Sequence, residues 1–215
     1  MENEMSLKEV SANLRKPEGE NGLKVASFMN KVNANFYIQL QKNVEWKPAM
    51  KILEIGFGNA NHIDEILSNS SNAEFTGVDY SKTMVDLAKE NNPDCTFFHK
   101  DIMRLDLAGE QFDLIYTINT VYFLDDLKGA FLNLKKHLKQ GGELHIGKRP
   151  KEDMNKLKDI TSTDFIPYSN EEVVKAVMGT GLDISSVVSS KDPEMERKGE
   201  KIQLHTDFII AVHGN

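Results

Sequence analysis

Apolar residues at Leu23, Ala26, Met29, Val32, Phe36, Leu40 and Val44 recur at steps of three and four. That is the stripe of an amphipathic helix running from about Glu20 to Val44. Pro48 bars its continuation, and the breaker-rich turn Arg15-Lys16-Pro17 before Gly19 sets it apart from a short helix nearer the N-terminus. From Lys51 the period changes. Compact apolar runs at Lys51–Ile55, Phe75–Asp79, Thr96–His99, Phe112–Ile118 and Glu143–Lys148 read as strands. Helical stripes lie between them. One carries Ile63, Ile66 and Leu67. The next opens on Ser81 as a cap and carries Met84, Leu87 and Ala88. A third is capped by Asp125, runs through Leu127, Ala130, Phe131, Leu134 and Leu138, and ends at Gly141-Gly142.

Further on, Ser169-Asn-Glu-Glu172 has the form of a capping box ahead of Val173, Val174, Val177 and Met178, closed by Gly181. Two last strands, Leu182–Ser189 and Ile202–Val212, follow one another without a helix, so they pair antiparallel; parallel neighbours need a long crossover. The charged stretch between them, Lys191 to Lys201, reads as a solvated loop. Strands alternating with helices predict an α/β fold, doubly wound, with one mostly parallel twisted sheet and helices on both faces. Residues 1–47 form an N-terminal helical cap, and 48–215 one compact ligand-binding unit. Ligands on such sheets sit beyond the carboxyl ends of the strands, where the strand order reverses. The strand-to-helix turns are therefore the places to search for chemistry.

The first turn reads Glu54-Ile-Gly56-Phe-Gly58-Asn-Ala60-Asn61. Gly56 and Gly58 allow a tight bend and close approach of backbone to ligand. A dinucleotide site wants Gly or Ala where this chain has Asn61, because helix and strand pack closely there. Glu54, just ahead of the glycines, welcomes a cationic amine. The second strand ends in Asp79, an acid able to accept from both hydroxyls of a ribose. The third turn offers the Asp101 carboxylate and the Ile102 amide to the edge of an adenine, with Tyr80 and Met84 able to flank the ring. The fourth strand leads into Asn119 and Tyr122.

Charge and composition narrow the class further. The 215 residues, 40% hydrophobic and 27% charged, describe a soluble globular chain, and a net charge of −7 argues against a nucleic-acid partner. Cys95 stands alone, so no internal disulfide can form. No leader-like apolar run opens the chain, and nothing approaches the ~20 apolar residues of a membrane span. The expected location is the cytoplasm. His62, His99, His137, His145, His205 and His213 show no spacing that joins them to cysteines or carboxylates as metal ligands, so no metal is expected.

The series Glu54-x-Gly56-x-Gly58, Asp79, Asp101-Ile102 and Phe112-Asp113 leading to Asn119 resembles the class I S-adenosylmethionine-dependent methyltransferases. The branch it is most similar to is the small-molecule one that includes the quinone-biosynthesis enzymes. The resemblance covers roughly Lys51 to His213, and it implies a seven-stranded sheet whose last strand is inserted antiparallel. It also implies S-adenosyl-L-methionine as cofactor, S-adenosyl-L-homocysteine as product and a small-molecule acceptor. Glu54, Gly56 and Gly58 would face the methionine portion, Asp79 the ribose, Asp101 and Ile102 the adenine, and the backbone near Asn119 the sulfonium. Many members have a third glycine where this chain has Ala60. Alanine is small enough to be tolerated there.

Methyl transfer from a sulfonium is a direct displacement, which asks the protein mainly for alignment and exclusion of water. If a base is used, Tyr122 is the best placed residue. Tyr37, Tyr168 and Arg149 are further candidates for acceptor contact, although Lys148-Arg149 also reads as a solvated charge pair. Asn30 and Asn33, beside the apolar stripe of the first long helix, suit a lid that meets polar ligand atoms. Two other readings stay open: an NAD-dependent oxidoreductase, which shares the glycine turn and the following acid, and a non-catalytic S-adenosylmethionine-binding protein. Asn119-Thr-Val-Tyr122 lacks the prolines of the adenine-specific nucleic-acid enzymes, which disfavours that class.

Overall fold

The structure is a computed structural model that describes residues 5–161, 165–197 and 199–214. It opens with helix α1 (Leu7–Arg15), started by a capping box between Ser6 and Glu9, and helix α2 (Gly19–Asn43). Alternation follows: β1 (Lys51–Ile55), α3 (Ile63–Leu67), β2 (Glu74–Asp79), α4 (Lys82–Asn91), β3 (Thr96–His99), β4 (Phe112–Ile118), α5 (Leu127–Lys136) and β5 (Leu138–Lys148). Two short helices, α6 (Lys151–Lys156) and α7 (Lys158–Thr161), come next without an advance signal in the hydrophobic pattern. The chain then forms α8 (Asn170–Met178), β6 (Asp183–Lys191), a small hairpin of β7 (Met195–Arg197) and β8 (Glu200–Ile202), and β9 (His205–Val212).

Seven strands form one sheet in the order β3-β2-β1-β4-β5-β9-β6. The first five run parallel, and β9 lies antiparallel between β5 and β6. This is the doubly wound arrangement expected from the alternation. β1 has β2 on one side and β4 on the other, so the order reverses there and a crevice opens beyond its carboxyl end.

Strand β1 reads as a nearly unbroken apolar run because helices cover both faces of the sheet. Leu53 and Ile55 pack with Ile115, Phe131 and Val177 on one side. Ile52 packs with Leu114, Ile63, Phe36 and Leu40 on the other. Phe36 and Leu40 are fully buried; each such side chain contributes roughly 1.5–3 kcal/mol, which fastens α2 across one face.

Four expectations are corrected. Helix α5 is capped by Asp126 and not Asp125: the Asp126 carboxylate accepts from the Gly129 amide at 2.8 Å. The same helix stops at Lys136, before Gly141-Gly142, and Leu138 opens β5 opposite Phe112. Leu138 fits a helical stripe and a strand alike, and pairing with β4 decides between them. The stretch from Lys191 to Lys201 is not all loop, since it holds the β7–β8 hairpin, with Met195 opposite Ile202. Its largely polar composition hides the pairing. Lys148 and Arg149 are buried, at 0% and 4% exposure, and are not a solvated charge pair. Among the described residues, no helix is long and apolar enough to cross a membrane.

Candidate active site

A cavity of about 750 Å³ lies beyond the carboxyl ends of β1, β2 and β4, with residues of α1 and α2 over it. Its size falls within the ~300–1,000 Å³ typical of small-molecule and cofactor sites. Gly56, Gly58, Asp79, Tyr80, Asp101, Ile102 and Asn119 line it, as do Asn30, Asn33, Tyr37, Tyr122 and Arg149. The sheet thus brings together twelve of the fifteen residues singled out from sequence. Glu54, Met84 and Tyr168 do not line it.

The turn after β1 is held by backbone geometry. The Gly56 amide donates to the Val78 carbonyl at 2.8 Å. With φ at +78° and a Cβ that would stand 2.3 Å from Thr120 Oγ1, Gly56 admits no side chain. Gly58 is also left-handed, at φ +59°, and a Cβ there would meet nothing within 4 Å, so the backbone faces open space. Ala60 adopts φ +60°. This conformation costs an L-residue roughly 1–2 kcal/mol, a physical reason for glycine at the equivalent place in resembling proteins.

Asp79 sits beside this turn. Its Oδ2 accepts from the Gly58 amide at 3.0 Å and its Oδ1 from the Ser81 amide at 2.7 Å. Burial pushes its carboxyl up to about 6, against the lowering effect of those two amides, and the Glu54 charge adds to the rise. A buried carboxylate with accepting capacity left over is suited to a diol.

Glu54 lies behind the turn, fully buried. Its Oε2 accepts from the Tyr116 hydroxyl at 2.9 Å and meets His62 Nε2 at 2.7 Å. Its Oε1 is buried without a protein partner. The Tyr37 ring stacks on His62 with centroids 4.0 Å apart and also borders the cavity. Burial, with the Glu54 charge second, holds both the Tyr37 and Tyr116 hydroxyls well above their ordinary range. Glu54 does not itself line the cavity, and is linked to the lining residue Tyr37 through His62.

At the opposite rim Asp101 caps a single 3-10 turn, Ile102–Arg104, by accepting from the Met103 amide at 2.9 Å. Tyr80 is half exposed at that rim, with Lys16 Nζ 5.5 Å above its ring. Met84 is fully buried on α4 and flanks nothing in the cavity. The turn between α1 and α2 is tied down here, since Ser81 Oγ donates to the Pro17 carbonyl.

Beyond β4 a chain of hydrogen bonds joins sheet and lid. Asn119, left-handed at φ +55°, donates through Nδ2 to Asn33 Oδ1 at 2.9 Å. It accepts from the Tyr122 hydroxyl at 3.1 Å, and that hydroxyl in turn accepts from the Arg149 amide. Burial raises the Tyr122 hydroxyl far above its usual value. Tyr122 therefore keeps its proton at neutral pH and positions Asn119, which does not suit the role of base considered for it. The Arg149 guanidinium is committed as well: it pairs with Asp192, donates to the His205 carbonyl at 2.9 Å and to the Val32 carbonyl at 3.0 Å, and lies 4.8 Å over the Phe36 ring. Tyr168 does not line the cavity itself and donates to the carbonyl of Leu124, which does, at 2.6 Å.

Residues that sequence reasoning missed fall into two groups. His62 and Tyr116 partner Glu54, and Asp192 partners Arg149. No local spacing links these pairs, so only the fold reveals them. The apolar lining residues Met154, Leu157, Phe165 and Leu204 come from segments whose pattern suggests core or loop. Among the described residues, no group of three or more His, Cys, Asp or Glu is arranged to hold a metal ion.

Comparison with known proteins agrees with this architecture. A family model described as a methyltransferase domain matches residues 52–142. The malonyl-acyl-carrier-protein O-methyltransferase of Bacillus anthracis is 30% identical over 165 residues, covering 69% of this chain and 60% of that protein. A Bacillus cytotoxicus protein of the same name is 30% identical over 121 residues, covering 55% of this chain and 42% of its own length. The chain thus spans between 42% and 60% of these two curated relatives. In fold, it matches a methyltransferase in complex with the Haloferax volcanii Trm112 methyltransferase activator, with a TM-score of 0.79 at 14% identity over 96% of this chain and 98% of that one. It also matches the N-methyltransferase NodS of Bradyrhizobium japonicum in complex with S-adenosyl-L-homocysteine, with a TM-score of 0.67 at 16% identity over 95% and 97%.

Proposed function

We propose that this chain, which carries a class I S-adenosylmethionine-dependent methyltransferase domain, transfers the cofactor's methyl group to a small-molecule acceptor. The observation that carries the reading is the convergence of the Gly56–Gly58 turn, Asp79 and Asp101 on one cavity that continues past Asn119 toward an apolar wall. S-adenosyl-L-methionine supplies a methyl group already activated on a sulfonium. The chain's residues then have to bind, align and keep water out.

The roles follow from chemistry and placement. The open backbone at Gly58 receives the methionine portion, Asp79 accepts from the ribose hydroxyls, and the Asp101 carboxylate with the Ile102 amide reads the adenine edge. Glu54 acts through its buried partners, setting His62 and Tyr37 behind the turn. Asn119, fixed by Tyr122 and by Asn33 of the lid, lines the passage between cofactor and acceptor. Residues 1–47 serve as the cap and 48–215 as the cofactor-binding unit. No metal has a part in this reading. The lone thiol Cys95, incapable of an internal disulfide, supports a cytoplasmic setting, and the acidic net charge supports a small-molecule acceptor over a nucleic acid.

Calorimetry with S-adenosyl-L-methionine, S-adenosyl-L-homocysteine and NAD tests the cofactor assignment. Micromolar binding of the first two with negligible NAD binding is expected, and tight binding of NAD alone would overturn it. Transfer of label from methyl-labelled cofactor to a component of a metabolite extract separates an enzyme from a non-catalytic binder.

A further inference from the structure

We infer that the end of the cavity beyond Asn119 takes an uncharged acceptor with a largely apolar body, and not an anionic one. The inference rests on the methyl-transfer reading above and specifies its substrate class.

The wall around Tyr122 is apolar. Met29 of α2, Phe123, Met154, Leu157, Phe165 and Leu204 line it, and the Phe165 ring sits 5.8 Å from Tyr122 and 4.6 Å from Phe123 between centroids. Two cationic side chains reach this end, and both are spoken for. Arg149 pairs with Asp192 and with carbonyls on two elements. Arg197 meets both carboxylate oxygens of Asp159, at 2.7 and 2.8 Å. Lys156, on the adjoining α6, is held by Asp153 and the Gln203 carbonyl.

Three further cations, Arg15, Lys24 and Lys100, line the cavity from α1, α2 and the turn after β3. Arg15 immediately precedes the Lys16–Pro17 turn that docks on Tyr80 and Ser81, Lys24 follows Gly22 where α2 packs against Pro17, and Lys100 adjoins Asp101. At the acceptor end the exposed carboxylate of Asp125 borders the opening beside Leu124. An anion entering there loses its hydration, meets apolar carbon and a like charge, and finds Arg149 and Arg197 already paired with carboxylates. An aromatic or aliphatic body loses only unfavourable hydration.

In the transfer, a lone pair of the acceptor's nucleophile forms the bond to the methyl carbon. The carbon–sulfur bond breaks with its electron pair kept by sulfur, and any proton on the nucleophile leaves to water at the open mouth. Tyr122, which keeps its own proton, takes no part in that proton's departure.

The test uses the full chain saturated with S-adenosyl-L-homocysteine and two probes that share one ring system, 1-naphthol and 1-naphthoate, with binding read by calorimetry. Naphthol is expected to bind at least about tenfold more tightly than naphthoate, the cost of an unpaired anion. Phe165→Asp is expected to weaken naphthol by about tenfold while leaving homocysteine-cofactor binding unchanged, and Leu204→Asp gives the same readout should the first variant fail to fold. Asp159→Asn, which leaves Arg197 without its carboxylate partner, is expected to narrow the preference. Equal or tighter binding of naphthoate, no binding of naphthol, or indifference of naphthol to both aspartate variants overturns the acceptor class. Failure to bind S-adenosyl-L-homocysteine in the first place overturns the cofactor reading itself, so the two failures are distinguishable.

Discussion

The two ends of the cavity are built by different means. At the end proposed for the cofactor the parts lie close in sequence or on adjacent parallel strands: Gly58 and Asp79 are joined amide to carboxylate, and Asp79 also accepts from Ser81 two residues on. The geometry there belongs mostly to the backbone, through left-handed Gly56 and Gly58. At the end proposed for the acceptor the links are made by side chains and span the chain. Asn119 reaches Asn33, Arg149 reaches Asp192 and Val32, and Asp192 also accepts from Asn35 of α2 at 2.7 Å. The first end is therefore shaped mostly by turns, with one bond from Ser81 to Pro17 tying the α1–α2 turn to it, whereas the second depends on several bonds that latch α2 to the sheet. Changes in lid residues can then alter acceptor choice without dismantling the cofactor site.

Breaking the latch is the harshest test of that contrast. Asp192→Ala leaves the Arg149 guanidinium buried and unpaired, and is expected to lower unfolding free energy by about 3–5 kcal/mol, read by urea denaturation. Cofactor affinity of the folded fraction should stay within about twofold, a change of less than the ~1.4 kcal/mol of a tenfold effect. A large loss of cofactor affinity would mean that the two ends are not separable. The converse substitution, Asp79→Ala, removes a charged acceptor and is expected to weaken cofactor binding by about 2–3 kcal/mol with the fold retained, again read by calorimetry.

A gentler probe is pH. The Asp79 carboxyl titrates at about 6 because it is buried. Accepting from ribose hydroxyls favours its ionised form, so bound cofactor lowers that value. Affinity should be flat above about pH 7 and fall by up to about tenfold per unit as pH drops below 6. Asp79→Asn should abolish the dependence. The ligand-free protein has the opposite slope from this group. Its folded value is raised, so its contribution to stability is full below about pH 4 and is lost as pH rises through about 6. The smallest expected effect is at Ala60, where Ala60→Gly relieves a left-handed alanine and should stabilise by about 0.5–1 kcal/mol. A thermal shift of ~1–4 °C measures it, and a destabilised variant would show that the strain lies elsewhere.

Helix α2, strand β1 and the capping box of α8 were legible because each is fixed by residues within one or two turns of one another: a stripe, an apolar run, a Ser169–Glu172 reciprocal bond. The order of acids and glycines along the strand ends was equally local. Parallel β-α alternation turns linear order into spatial neighbourhood at one edge of the sheet, which is why Gly56, Gly58, Asp79 and Asp101, spaced along the chain, come to line one cavity. Leu138 was misread because one leucine satisfies both periods until Phe112 lies opposite it. Lys148 and Arg149 were misread because a charged pair looks solvated until its burying partners, distant in sequence, are known. Sequence alone therefore determined the sheet and the strand-end turns that line its cavity. Only tertiary structure decided that Glu54 is paired with His62 and Tyr116, that the Tyr122 hydroxyl is bonded to Asn119, and that Arg149 and Arg197 are already paired with carboxylates. Those facts depend on which side chains meet across the fold, and pairing of buried charges is a long-range choice that no local pattern encodes.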